Sequence, residues 1–275
     1  MIQKSLKHLG LYIFAAAWFL ISFYPFVFMV ITSLKGRMEF LIKPVWAFPE
    51  QFLYTNYIRV IEGGFFRFFF NSVSVSVISV SIIILVSSLA SYIISRVRFR
   101  LSSLVYGVFV AGMMIPIHIT LIPVYNLTRA LGIYDSLAAL VGPYVAFSLP
   151  ISVFVLVGFM RDIPLELEEA AVMDGASRMQ IYTKVVMPLS KPALSTVAIY
   201  SFILLWNEFI YALVLLTSKH NWNLTMGLWN FHGQYSIDIP LIMATLTLAA
   251  LPLILIYFFL QEQVIRGMTT GALKG

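Results

Sequence analysis

Apolar residues run along this chain in long blocks, with most of the charged residues gathered in the gaps between them. Crossing about 30 Å of hydrocarbon at 1.5 Å per residue takes roughly 20 apolar residues in an α-helix. Six stretches reach that length: 9–31, 69–94, 104–126, 136–159, 193–217 and 240–261. The pattern predicts an all-α membrane protein of about six transmembrane helices in a single domain, 1–275. The third and sixth stretches are the least regular, because Pro116, Pro123, Pro240 and Pro252 lie in or beside them and remove backbone donors. The second opens "NSVSVSVISVS", an alternation that reads as a strand in isolation. Its apolar continuation to Ile94 instead gives it the length of a spanning helix, with Ser72, Ser76 and Ser79 on one face. Such a small-residue stripe lets helix backbones approach closely in lipid. A packing face is the first reading of it and a substrate-facing stripe the second.

Lys4 and Lys7 before an apolar run, with Ala15, Ala16 and Ala17 behind, imitate a secretory signal. Only Leu9 to Phe14 would form its apolar core, too short for the role, and the run continues to Ile31 as an uncleaved first helix. Basic residues in short loops orient a membrane chain. With both termini in the cytoplasm, the inner side receives Lys4, Lys7, Arg96, Arg98, Arg100, the four basic residues from Arg161 to Lys191, Arg266 and Lys274. Arg129, Lys219 and the basic residues of an extracytoplasmic segment, 32–67, face the other side. The expected location is the cell membrane, multi-pass. Composition agrees: 60% of residues are hydrophobic and 11% charged, against roughly 45–50% and about 25% in soluble domains. The net charge of +6 is spread over loops and orients the chain, which argues against nucleic acid as a partner. Cysteine is absent, so no disulfide framework or thiol chemistry is available.

A phosphate-binding loop of the form G-x-x-x-x-G-K-[ST] is missing, and His8, His118, His220 and His232 have no metal-ligand spacing. No G-x-S-x-G frames a serine nucleophile. Ionisable residues inside spans are costly and therefore informative. His118 sits between Pro116 and Pro123, where a kink frees carbonyls. It is expected to bond a neighbouring helix or to contact a ligand. Glu208 lies in "LLWNEFIYAL" with Trp206, Asn207 and Tyr211, offering aromatic faces and polar edges that suit a hydroxyl-rich ligand. Trp and Tyr also gather at membrane interfaces, so a structural role stands beside a place in a substrate path.

The segment between the fourth and fifth spans, 160–191, is predicted as two short helices on the inner side. Asp162 and Pro164 suit a helix start, and Glu166, Glu168 and Glu169 put negative charge in its first turns. Gly175 can adopt positive φ after the last turn, and Ser177 with Gln180 fits a capping box for a second helix that should stop before Pro188. Leu167, Ala170, Ala171 and Asp174 share a face that is marginal alone. Either it folds back on its own bundle or it takes a partner.

Glu169-Ala170-Ala171, Gly175 after three residues and Pro188 thirteen further on resemble the EAA loop of ABC-importer membrane subunits, with Val185 and Met187 at positions usually Ile and Leu. From about Met113 to Gly275 the chain is similar to the carbohydrate, maltose-type branch of these permeases, through "FSLPISVFVLVGFMRDIPLELEEAAVMDGAS", "MPLSKPALSTVAIYSFILLWNEFIYAL" and "VIRGMTTGALKG". The resemblance implies a type I permease fold and an importer of a mono- or oligosaccharide. Its expected partners are a second homologous permease subunit, two cytoplasmic ATPase subunits and an extracytoplasmic sugar-binding protein, in membrane lipid. It implies that ATP and Mg are used by the ATPase subunits, that this chain binds no cofactor or metal, and that it is not itself an enzyme. Residues 160–191 then form the coupling loop. Glu168, Glu169, Ala170, Ala171, Asp174, Gly175 and Arg178 are its expected ATPase-docking set: Glu169 pairing with the ATPase, the alanines permitting close approach, Gly175 making the turn. The tail from Arg266 to Gly275 is expected to follow the ATPase surface by an irregular path. His118, Trp206, Asn207, Glu208 and Tyr211 are the substrate-path candidates. An ion-coupled secondary transporter using His118 and Glu208 is the alternative, although no inverted repeat of the kind common in such folds is visible.

Overall fold

The computed structural model describes the backbone of residues 2–97, 99–229 and 237–272, and side chains except those of 2–9, 256, 257 and 259–272. Arg98, His232, Lys274 and Gly275 lie outside the described residues, as do the side chains of Lys4, Lys7 and Arg266. In chain order the helices are α1 (Ile2–Ser33), α2 (Arg37–Ile42), α3 (Thr55–Glu62), α4 (Phe65–Arg96), α5 (Ser102–Gly112), α6 (Leu121–Ala130) and α7 (Ala138–Arg161). They continue as α8 (Glu166–Met173), α9 (Arg178–Ile181), α10 (Met187–Leu189), α11 (Lys191–Trp206), α12 (Ile210–Leu215), α13 (Leu224–Trp229) and α14 (Ile239–Ala272). No strand forms among the described residues.

Gly10–Ser33, α4 and α7 are each long and apolar enough to cross a membrane. The third predicted span is broken: α5 gives way to a 3-10 turn, Ile117–Thr120, and α6, at 95° to α5. Pro116, without a donor, stands immediately before that turn in extended backbone. Around the fifth, the helical run Arg178–Leu189 meets α11 at 73°. The predicted continuous helix over 193–217 stops at Trp206 and restarts at Ile210. The sixth predicted span, 240–261, lies within α14, whose backbone stays helical from Ile239 through Ala272. The irregular path expected around Gly267 and Gly271 is therefore helix, since glycine costs a helix only about 1 kcal/mol against alanine and does not by itself break one.

The chain divides into two compact units, 1–66 with 227–252 and 67–226 with 253–275. In the first, the described side chains of α1 from Gly10 to Phe26 are exposed, and a hydrogen-bonded knot follows its C-terminal end. Asn56 Nδ2 donates to the carbonyls of Ser33 (2.8 Å) and Lys35 (2.9 Å), and the Ser33 and Tyr57 hydroxyls meet at 2.6 Å. Lys35, fully buried, donates from Nζ to Val45 O at 3.0 Å. The 32–67 segment is thus folded around its polar groups.

The second unit holds the main core. Val75 and Ile83 of α4, Leu140, Tyr144 and Leu156 of α7, Val197 and Leu205 of α11, and Tyr211 and Leu215 of α12 pack together with little or no exposure. Ser72, Ser76 and Ser79 are buried at 5%, 1% and 0%, and Ser87, Ser88 and Ser91 extend the buried small-residue face along α4. Ser72 Oγ accepts from Leu224 N–H at 2.8 Å and Ser91 Oγ donates to Val153 O at 3.4 Å, so this face is packed within the unit.

Candidate functional site

The segment after α7 is built by local capping. Glu166, Glu168 and Glu169 occupy the first turn of α8, where free backbone N–H groups favour carboxylates. The helix is closed by N–H groups of Asp174, Gly175 and Ala176 bonding to Ala170, Val172 and Ala171 carbonyls. Gly175 has φ +79°, the left-handed region where a Cβ is strained. Ser177 and Gln180 then form the expected capping box: Ser177 N–H donates to Gln180 Oε1 at 2.7 Å and Gln180 N–H to Ser177 Oγ at 3.4 Å.

The second helix does not stop before Pro188. After α9 the backbone widens into a π-turn over Tyr182–Val186, closed by Met187 N–H on Tyr182 O. Pro188, which has no N–H to donate, lies in the same helical run just after the widened turn, and the break comes at Ser190.

One face of this segment folds back on its own unit. Ala171, Ala176, Val185 and Met187 pack against a buried cluster that includes Tyr92, Met160 and Tyr182. The opposite face is open: Leu167, Val172 and Met173 are 45%, 58% and 88% exposed, and Glu169, Ala170, Asp174, Gly175 and Arg178 are exposed beside them. The segment thus folds back on its own unit on one side and is exposed on the other. Glu168 differs from its neighbours. Its Oε1 lies 2.8 Å from Arg96 Nε at the end of α4, with side chains 13% and 5% exposed. Arg96, Leu165, Glu168, Glu169, Met173 and Arg178 border a groove of about 760 Å³.

The substrate-path candidates lie where helices break. Glu208 Oε1 accepts from Tyr211 N–H at 2.8 Å and Oε2 from the Tyr144 hydroxyl at 2.8 Å, so the carboxylate caps α12 and ties it to α7. The Glu208 carbonyl, released by the break, accepts from the Thr225 hydroxyl at 2.8 Å. Tyr211 is fully buried, its hydroxyl 2.6 Å from Thr120 Oγ1. That contact holds the 3-10 turn carrying His118 against α12, and His118 itself is exposed. Trp206 is buried, its ring 5.4 Å from Phe202 and 5.8 Å from Phe69. Asn207 is exposed and donates to Ile203 O at 2.8 Å. Of the five candidates, then, Trp206 and Tyr211 pack the core, Glu208 is committed to a cap, and Asn207 and His118 present accessible polar groups. Tyr144, Thr120 and Thr225 complete the polar set. Their partners across the break lie 17 to 91 residues away in sequence, and no spacing marks them.

A third constellation escaped the sequence altogether. Asp135, before α7, has φ +54° and accepts from the N–H groups of Thr217 (2.8 Å) and Ser218 (2.9 Å) and from the Ser218 hydroxyl. Asn221 Nδ2 donates to its carbonyl. Desolvation would raise the carboxyl's pKa, but the bonds from Ser218, Thr217 and Asn221 outweigh it and hold it at about 2. The loops before α7 and after α12 are clipped together by this one side chain.

Long apolar helices, two of them bent at breaks beside polar groups, fit a multi-pass membrane protein. Residues 83–270 match the family described as "binding-protein-dependent transport system inner membrane component", and the chain belongs to that family. It is 50% identical over 264 residues to a putative ABC transporter permease protein, ORF2, of Caldicellulosiruptor sp. (strain Rt8B.4), covering 96% of each chain. It is 32% identical to the trehalose/maltose transport system permease protein MalG of Thermococcus litoralis, covering 99% of each. Among solved structures, it superimposes with a TM-score of 0.82 on a chain of a bacterial ABC transporter that imports the acidic polysaccharide alginate. That match has 21% identity and covers 95% of this chain and 98% of the other, and it shows the fold. The ion-coupled alternative is not favoured by these relationships, and the carboxylate it needs at Glu208 is occupied by the α12 cap.

Proposed function

We propose that the chain is one of two membrane-spanning halves of an ATP-driven importer for a mono- or oligosaccharide. A binding protein delivers the sugar outside, and two ATPase subunits, using ATP and Mg, drive alternation between inward- and outward-facing states. The sugar class is supported by relatives whose names specify trehalose and maltose, or melibiose, raffinose and stachyose. In this reading both termini and 160–191 are cytoplasmic, 32–67 lies outside, and hydrolysis belongs to the partner subunits.

The observation that carries it is α8, anchored on one face and bare on the other. Val172 and Met173 are exposed apolar side chains that border the same groove as Glu169, on a helix of two turns. Such side chains gain by burial against a partner, at roughly 25 cal/mol per Å² of apolar surface. Glu169 pairs with cationic or amide groups of the ATPase, and Ala170 lets the two surfaces close. The test is Glu169→Lys and Gly175→Asp in the assembled complex. Both variants insert normally and lose transport while ATP hydrolysis persists. Wild-type uptake by both would overturn the docking role.

A further inference from the structure

We propose that Arg96 and Glu168 form the link through which movement of α8 reaches the membrane-spanning helix α4. The inference rests on the docking role given to α8 above and adds a positioning pair on its inner face.

Arg96 is the last residue of α4, and Glu168 lies in the first turn of α8. Each charge therefore sits at the helix pole that favours it. Nε and Oε1 are 2.8 Å apart, off the in-line hydrogen-bond direction, and neither atom has a hydrogen-bond partner among the described residues. Arg96 Nη2 also donates to Ile163 O at 2.7 Å. One guanidinium thus holds both the turn leading into α8 and the first turn of α8 itself, through different nitrogens of its rigid planar fork.

Successive residues on a helix point about 100° apart, and here that places Glu168 inward and Glu169 outward. The helix has one face for a partner and one for α4. A second contact reinforces the same end of α4: the Ser88 and Tyr182 hydroxyls lie 2.8 Å apart, and the Tyr92 and Tyr182 rings 5.2 Å apart. If α8 moved alone, two charged atoms that are almost fully buried would lose the ionic partners they have among the described residues, which is costly. Carrying the end of α4 along avoids that. α4 in turn bears the buried serine stripe packed along the unit, so displacement at Arg96 is delivered along a rigid helix of ~48 Å at 1.5 Å per residue.

The test uses the complete complex in proteoliposomes, comparing wild type with Glu168→Gln, the single reversals Arg96→Glu and Glu168→Arg, and the double reversal. Sugar transported per ATP hydrolysed and melting temperature are both measured. In Glu168→Gln, sugar transported per ATP hydrolysed is expected to fall by about tenfold, a coupling of the size found between contacting residues. The double reversal is expected to recover transport per ATP over either single reversal. A wild-type ratio in Glu168→Gln, or an assembled double reversal no better than the singles, overturns the link. So does a transport loss that follows melting temperature with an unchanged ratio, because it marks a merely structural pair. A wild-type chain that purifies without ATPase subunits contradicts the importer reading itself, so the two failures are told apart.

Discussion

At the scale of single residues, the chain's own local chemistry was readable wherever a residue answers to its neighbours. Gly175 was expected at positive φ and has φ +79°, with no atom within 4 Å of where a Cβ would stand. Gly175→Ala therefore strains the backbone, by about 1 kcal/mol, without a clash inside the chain. Under the proposed docking role, a larger substitution such as Gly175→Asp is expected to damage transport at the partner contact rather than inside the chain. Ser177 and Gln180 likewise formed the box their spacing implied. Asp135 is the opposite case: its side-chain partners lie 82 and 83 residues away in sequence, and nothing local announces them. Its carboxyl, held at about 2 against about 3.9 in an unfolded chain, contributes stability that is fully present above the unfolded value. That contribution is lost as pH falls through about 2. Melting of the purified protein should therefore drop between these values. Asp135→Asn, which tolerates the left-handed backbone, should melt lower near neutral pH and show a shallower acid dependence. An unchanged acid profile would remove Asp135 from the account.

At the scale of elements, hydropathy located the apolar segments and missed how they break. The prolines around His118 forewarned of a kink, and the 95° bend follows from them. The break after Trp206 has no proline. It depends on Glu208 supplying acceptors to Tyr211 and Ala212 N–H groups while Tyr144, 64 residues earlier, holds the other side of the carboxylate. The π-turn before Pro188 was equally hidden, because a widened turn leaves no mark in residue spacing. These breaks separate two roles that the sequence could only place together. Glu208→Ala should cost about 1 kcal/mol or more through the lost cap, visible as a lower melting temperature. Asn207→Ala, changing an exposed residue, should leave melting and assembly unchanged and weaken sugar uptake. Normal uptake kinetics in Asn207→Ala would take that residue off the substrate path.

At the scale of the whole molecule, the chain carries a transport scaffold and an unfinished surface. The core of the 67–226 unit is tightly packed, whereas α8 is buried on one side only. The family follows from the residues matched over 83–270, while the sugar and the direction of force remain the proposals made above. The central claim is that transport needs ATP hydrolysed by partner subunits. It is tested most directly by sugar uptake into proteoliposomes containing this chain, with and without its permease and ATPase partners, binding protein and internal or external ATP. Uptake is predicted only for the complete assembly with ATP on the ATPase side, and it should be abolished by vanadate. Gradient-driven uptake by this chain alone, with no ATPase present, would contradict the account.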